Sequence, residues 1–267
     1  MPSPKRILPR IALKIDVLNS RAARAIPHLQ DVLRRNRAGA SFTCTPRSLN
    51  SLKWTAESSC EIGLMAAEPR PWWTKFGGET PQQGESRLRK VHADVVAAFA
   101  SAPLLHATGS WSLTRHDLRL TQRLGFTHAC DCRGRHPFVP VWDGEVIACP
   151  QFPITLPTLE ELAGRRKADF SEVRTRLLAL TEQAAPWGHV FSLRAPPQPE
   201  KLDDFLEELF SGWRDQGYEI TSIQTLASPF DMNKLPRHEI CIGTVPDCKT
   251  PLLVQGNEFL SEWRHAA

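Results

Sequence analysis

Apolar and polar positions along this chain follow two alternating rhythms. Residues 11–17 form an almost unbroken apolar run interrupted only by Lys14 and Asp16, the pattern of a buried parallel strand that delivers a polar side chain near its C-terminal end. Asn19 or Ser20 is placed to cap a helix whose apolar positions, Ala22, Ala25, Ile26, Leu29, Val32 and Leu33, recur at helical spacing, with Gly39 after it. The order then repeats: strand 40–45, strand 60–65, helix 85–99, strand 104–108, helix 114–124 and strand 127–131. An apolar edge at 146–148, a helix through Phe170, Val173, Leu177 and Leu180, a strand at 189–193 and a helix from Leu202 to Trp213 complete the series. Strands alternating with helices predict a parallel sheet or barrel, and seven or eight such units fit an α/β fold of distorted (β/α) barrel type. Asp16 then falls at the strand ends, where such folds build their sites. Two stretches break the rhythm, 68–83 with its Trp, Gly and Pro residues and the proline-rich 150–157, and both predict shaped loops.

Composition narrows the class. A chain of 267 residues, 41% hydrophobic and 23% charged, predicts one domain over 1–267 with a substantial core. No apolar run reaches membrane-spanning length and residues 1–10 lack a signal-peptide core, so a cytoplasmic protein is expected. Of seven cysteines, Cys130 and Cys132 are too close for an unstrained disulfide, and all are expected to be reduced. The formal net charge of +4 is far from that of a dedicated nucleic-acid binder, and no nucleic-acid partner is expected. A phosphate-binding glycine loop and a Gly-x-Ser-x-Gly elbow are both missing from the sequence, and the nine histidines are scattered.

More particular signals are Ile15-Asp16-Val17, Glu61-Ile62-Gly63-Leu64, the run Asp131-Cys132-Arg133-Gly134 followed by Pro137-Phe138 and Pro140, and Gln151-Phe152-Pro153-Ile154-Thr155-Leu156-Pro157-Thr158. In order and spacing they resemble the deformylase subgroup of the polysaccharide deacetylase (NodB homology) family, which acts on formamidoarabinose carried by undecaprenyl phosphate. The likeness runs from about Arg10 to Gly256, and 227–267 is similar to that subgroup's C-terminal extension. It implies the NodB-type barrel. It also implies a general base at Asp16 and a metal held by a second Asp and two His. Here the second Asp falls on Leu18 and the histidines on Met65 and Pro69, with Arg70 where the subgroup has a further His. The general-acid His falls on Arg194, and a Gly-Trp-Arg element that orients the base is altered around Gly109 and Trp111.

These replacements have chemical meaning. Metal-assisted amide hydrolysis needs about three protein ligands and an open position for water. Leucine and proline have no donor atom, thioether sulfur suits soft copper(I), and a guanidinium keeps its proton at neutral pH. No metal or other cofactor is expected, and Asp16 is expected to be retained without activity. Asp16, Trp111, Asp131, Arg133 and Arg194 are the candidate ligand-binding residues. Each has a plainer reading beside it: Asp16 as a helix cap or arginine partner, Asp131 with Arg133 as a structural ion pair, Arg194 as a solvated rim charge.

The expected function is a catalytically degenerate homologue in lipid-linked aminoarabinose or envelope-sugar metabolism. Its partner would be an active deformylase paralogue or a polyprenyl-phosphate sugar. Trp72, Trp73 and Phe76, flanked by Arg70 and Lys75, suit contact with the inner face of the cytoplasmic membrane. The alternatives are an active amide hydrolase with a relocated site, for which His92, His106 and Asp131 are first candidates, and a repurposed small-molecule binder.

Overall fold

The structure is a computed structural model, which describes residues 8–55, 57–65, 81–109, 111, 113–163, 169–246 and 248–260. Its main sheet contains β1 (Arg10–Val17), β2 (Ala40–Cys44), β3 (Cys60–Met65), β4 (Leu105–Ala107), β5 (His128–Cys130) and β8 (His189–Arg194), all parallel, in the order β5-β4-β3-β2-β1-β8. A seventh strand, β9 (Glu219–Thr221), pairs with the foot of β1. A smaller sheet of order β11-β10-β6-β7 is built from β6 (Val139–Trp142), β7 (Glu145–Val146), β10 (Arg237–Val245) and β11 (Cys248–Glu258).

The main sheet curls into the NodB-type half-barrel, and its two outer strands do not pair with each other. The proline-rich segment at 150–156 spans between them. On the β5 side Ala129 N donates to Pro150 O (2.8 Å) and Phe152 N to Ala129 O (2.7 Å). On the β8 side Thr155 N and Leu156 N donate to Val190 O (3.1 and 3.2 Å), while Val190 N donates to Thr155 Oγ1 (2.9 Å). Pro150, Pro153 and Pro157 have no N–H to give a regular ladder, so this strap closes the barrel through single bridges rather than as a strand. That is the physical origin of the distortion.

The alternation in β1 now has a direct explanation. Ile11, Leu13, Ile15 and Val17 pack in the large apolar cluster shared with the helices, whereas Ala12 belongs to the interior cluster with Leu105, Cys130, Phe152, Ile154 and Val190. Lys14 and Asp16 continue the interior face by the two-residue period of a strand.

Helices α1 (Ser20–Ala23) and α2 (Ile26–Arg35) replace the single helix expected after β1. Asn19 caps the first by accepting from Arg21 N and Ala22 N, both at 3.0 Å. Pro27 sits in the first turn of the second, where its missing N–H costs nothing, and the chain restarts there. The remaining helices are α3 (Pro46–Leu49), α4 (Pro81–Phe99), α5 (Arg115–Arg123), α6 (Leu159–Ala163), α7 (Phe170–Leu180), α8 (Asp203–Asp215) and α9 (Ile223–Ala227).

The apolar edge expected at 146–148 is a two-residue strand of the smaller sheet, outside the barrel series. It is anchored by Glu145, whose carboxylate accepts from Arg119 Nε (2.7 Å) and Arg115 Nη2 (2.9 Å).

At the foot of the barrel α9 closes the interior. Ile223 N donates to Ser41 Oγ (2.7 Å) and Gln224 N to Glu61 Oε1 (2.7 Å), so a hydroxyl and a buried carboxylate each satisfy one free amide at the helix start. His128 Nε2 lies 3.2 Å from the other oxygen of Glu61.

The six cysteines whose side chains are described are free, and Cys44, Cys130, Cys132 and Cys149 are buried. Burial pushes the thiols of Cys44, Cys130 and Cys149 up to about 12 from 9.0. The unfolded chain therefore loses these protons first as pH rises. Their contribution to stability is complete below about pH 9 and lost progressively towards pH 12. Denaturant melts are expected to show a midpoint that falls steeply above pH 9, with these thiols unreactive to a disulfide reagent in native protein at pH 8. Rapid native labelling of Cys130 or Cys149 would contradict this burial.

Candidate functional site

Strand register builds the site. β1 places Lys14 level with Ser41 and Ser192, and Asp16 level with Thr43 and Arg194. Lys14 is fully buried, and its ammonium donates to Asp16 Oδ1 in a short charged contact. Thr43 Oγ1 donates to the same oxygen at 2.6 Å. Asp16 Oδ2 has no hydrogen bond among the described residues and the residue faces a cavity of about 250 Å³ at the C-terminal ends of the strands. Asp16 thus neither caps the following helix nor pairs with an arginine; its partner is the lysine two positions earlier.

Three carboxylates line this pocket, and each has its own cation. Glu160 lies 3.5 Å from Arg194 Nε at the exposed rim. Glu161 accepts from Arg133 Nη1 at 3.1 and 3.0 Å, a pair almost entirely out of solvent. The two glutamates are placed by a capping box at the start of α6: Thr158 Oγ1 accepts from Glu161 N (3.2 Å), and Glu161 Oε2 accepts from Thr158 N (2.9 Å). The Thr-x-x-Glu spacing 158–161 is visible in the sequence and would have located both glutamates, which the pattern reading passed over.

Trp111 forms another wall. Its backbone sits in the left-handed region (φ 46°), uncommon for a bulky residue, and is fixed by Leu253 N donating to its carbonyl at 2.7 Å. The Arg133 guanidinium lies 5.3 Å over its ring. The indole Nε1 is buried with no acceptor among the described residues.

Of the five expected ligand-binding residues, Asp16, Trp111 and Arg194 meet in the pocket, and Arg133 stands directly behind it. Asp131 does not join them. It is fully buried on the helix side of the sheet, with His106 Nδ1 2.9 Å from its Oδ1, so the expected ion pair of Asp131 with Arg133 is replaced by Asp131–His106 and Arg133–Glu161. Of the candidates for a relocated site, His106 meets Asp131, while His92 is linked to them only through the Phe126 ring, whose centroid lies 5.6 Å from that of His92 and 5.2 Å from that of His106.

At the positions where the resemblance expects metal ligands, Met65 ends β3 with its side chain fully buried, and Leu18 is half-buried beyond β1. Pro69, Arg70, Trp72, Trp73 and Phe76 lie outside the described residues. Among the described residues no three His, Cys, Asp or Glu side chains converge as a metal-binding group. Leucine and a buried thioether give no hard donor, and the carboxylates nearby are already bound by Lys14, Arg133 and Arg194. The described residues at these positions do not fit a hydrolytic metal.

No family model matches the chain. A probable 4-deoxy-4-formamido-L-arabinose-phosphoundecaprenol deformylase of Shewanella sediminis is 27% identical over 184 residues, 68% of this chain and 58% of that protein. A second of the same description, from Wigglesworthia glossinidia brevipalpis, is 24% identical over 205 residues, covering 74% and 68%. The chain thus matches little more than half the length of the first of these relatives. Among solved structures, one reported as a polysaccharide deacetylase of Mycobacterium smegmatis aligns with a TM-score of 0.64 at 13% identity over 91% of this chain and 98% of that one. A carbohydrate esterase family 4 pseudoenzyme of Bacillus anthracis aligns with a TM-score of 0.53 at 14% identity over 85% and 66%. The chain is a sequence relative of the formamidoarabinose deformylases and has the polysaccharide-deacetylase fold. No helix among the described residues is long and apolar enough to cross a membrane.

Removing one member of a buried ion pair leaves the other charge stranded. Lys14→Met is expected to destabilise the protein by about 3–5 kcal/mol in urea denaturation. The double variant Lys14→Met, Asp16→Leu is expected to recover at least half of that loss, and equal stability of Lys14→Met and the parent would show that the pair does not hold the site.

Proposed function

We propose that this deformylase relative is a catalytically degenerate homologue that uses the former reaction pocket to bind an amino sugar or its lipid-linked phosphate ester. One observation carries this reading. The three carboxylates that line the pocket among the described residues each have a cation of the same chain beside them, while the positions that the resemblance gives to metal ligands just after β1 and at the end of β3 hold the apolar Leu18 and Met65. Hydrolysis of a formamide would need an electrophile on the carbonyl oxygen and a donor for the leaving amine. Arg194 stands at the family's general-acid position, and a guanidinium stabilises an anion without giving up its proton.

What remains suits recognition. Trp111 offers a ring face to the C–H surface of a sugar, and its buried indole N–H has no acceptor among the described residues, a role that a hydroxyl or formyl oxygen would fill. Glu160 and Asp16 Oδ2 accept from hydroxyl groups, Ser192 and Thr158 line the same wall, and Arg194 at the rim suits a phosphate. The names of the curated relatives support a place in aminoarabinose or envelope-sugar metabolism.

Incubation with 4-formamido-4-deoxy-L-arabinose 1-phosphate and added zinc, cobalt or manganese is expected to release no formate, while the same compound raises the thermal midpoint. Trp111→Ala is expected to weaken that binding at least tenfold. Metal-dependent formate release, or no binding by the parent, would overturn the reading.

A further inference from the structure

A second cavity, of about 590 Å³, lies at the foot of the barrel, at the opposite end of the strands from the Asp16 pocket, between the segment that leads into β3, the end of α4 and the start of α9. Pockets that hold small organic molecules enclose about 300–1,000 Å³, so the space is of ligand size. Its composition is one-sided. Trp54, Val95, Phe99 and Leu104 give it apolar and aromatic walls, its charged groups are Glu57 and Glu61, and no Lys, Arg or His is among its described lining residues. The Asp16 pocket differs in kind, since its carboxylates are matched by cations beside them.

Both carboxylates and the aromatic wall are held in place by the fold. Glu61 is over nine-tenths buried; its Oε1 accepts from Ser41 Oγ (2.6 Å) and Gln224 N (2.7 Å), and its Oε2 faces His128 Nε2 at 3.2 Å, the sole ion-pair partner it has among the described residues. Glu57 has Arg34 Nη1 3.9 Å from its Oε1, beyond hydrogen-bond reach, and the other end of that guanidinium is taken by Asp31. The segment that carries Trp54 and Glu57 is clamped: the buried Gln30 side chain donates to Thr55 O (2.8 Å) and accepts from Thr55 N (3.4 Å), while Cys60 N donates to Glu57 O (3.1 Å). The Trp54 ring stands edge-on to Phe42, with centroids 5.4 Å apart. A preformed cavity with carboxylates and an indole in its walls favours a cation, through the carboxylate charge and the electron-rich ring face. The apolar side chains around them favour a cation that brings an apolar body.

We propose that this cavity is a separate binding site for a small organic ammonium ion, whose N–H groups donate to Glu57 and Glu61 while its apolar body lies against Trp54, Val95 and Phe99. The assignment rests on the cavity's own residues and stands whether the Asp16 pocket binds or reacts. Glu57 is half-buried and Leu104 is exposed, so both can be replaced without opening the core.

Calorimetric titration of the full chain with phenethylammonium, 2-phenylethanol and methylammonium tests the site. The alcohol keeps the apolar body and lacks the charge, whereas methylammonium keeps the charge and lacks the body. Phenethylammonium is expected to bind at least tenfold more tightly than either. Glu57→Gln is expected to lower its affinity at least tenfold, and Leu104→Arg, which sets a cation in the cavity wall, to do the same, with thermal midpoints close to that of the parent. Trp111→Ala is expected to leave phenethylammonium binding unchanged, because that residue lines the pocket at the other end of the barrel. No binding of phenethylammonium by the parent, an equal affinity for either of the other two compounds, or unchanged binding in Glu57→Gln or in Leu104→Arg would overturn the proposal. So would loss of binding in Trp111→Ala, which would place the amine in the Asp16 pocket.

Discussion

A charge inside a barrel must be matched within reach of its own side chain, because the surrounding medium screens it poorly and water cannot solvate it. Lys14 and Asp16 meet that requirement on one strand, two residues apart, with Thr43 from the next strand on the same oxygen. The rest of the site is arranged around this pair. With Asp16 bound by a lysine, Glu161 by Arg133 and Glu160 beside Arg194, each carboxylate that lines the pocket among the described residues has a cation of its own. The apolar side chains at Leu18 and Met65 are consistent with that balance, since neither adds a charge that would need a partner.

Closure of the barrel imposes a second constraint. The strap at 150–156 must reach β5 and β8 at once, and its prolines allow only isolated bridges. It leads directly into the Thr158–Glu161 capping box, so the segment that shuts the barrel also delivers two of the pocket's three carboxylates. The hairpin of β10 and β11 acts from the other side by fixing Trp111 and the Arg133 loop through backbone hydrogen bonds.

Much of this was legible in the sequence, and the limits have physical causes. The strand at 60–65 and the helix at 170–180 agree to the residue, because both carry an unambiguous period and clear ends. The helix after β1 divides because Pro27 interrupts a pattern whose apolar spacing alone runs on smoothly. The long hairpin was not recognised as strands, since Gly243, Pro246 and Gly256 break its alternation and its pairing partners are distant in sequence. In the site, Asp16 was found from its place at a strand end and Arg194 through the family resemblance. The partnership of Lys14 with Asp16 follows from the two-residue strand period, whereas Arg133–Glu161 and His106–Asp131 depend on tertiary placement that no local spacing encodes. Trp72, Trp73 and Phe76 carry the membrane-contact expectation in residues the structure does not describe.

The central claim is that the pocket is complete without a catalytic metal, and metal stoichiometry tests it most directly. Untagged protein, purified without chelator and dialysed against low-micromolar zinc, cobalt, nickel and manganese, would be analysed by elemental mass spectrometry alongside protein concentration. The account predicts well below a tenth of an equivalent of any of these metals. About one equivalent, retained through dialysis, would contradict it and require a metal site that the pairing of Asp16, Glu160 and Glu161 with their own cations does not allow.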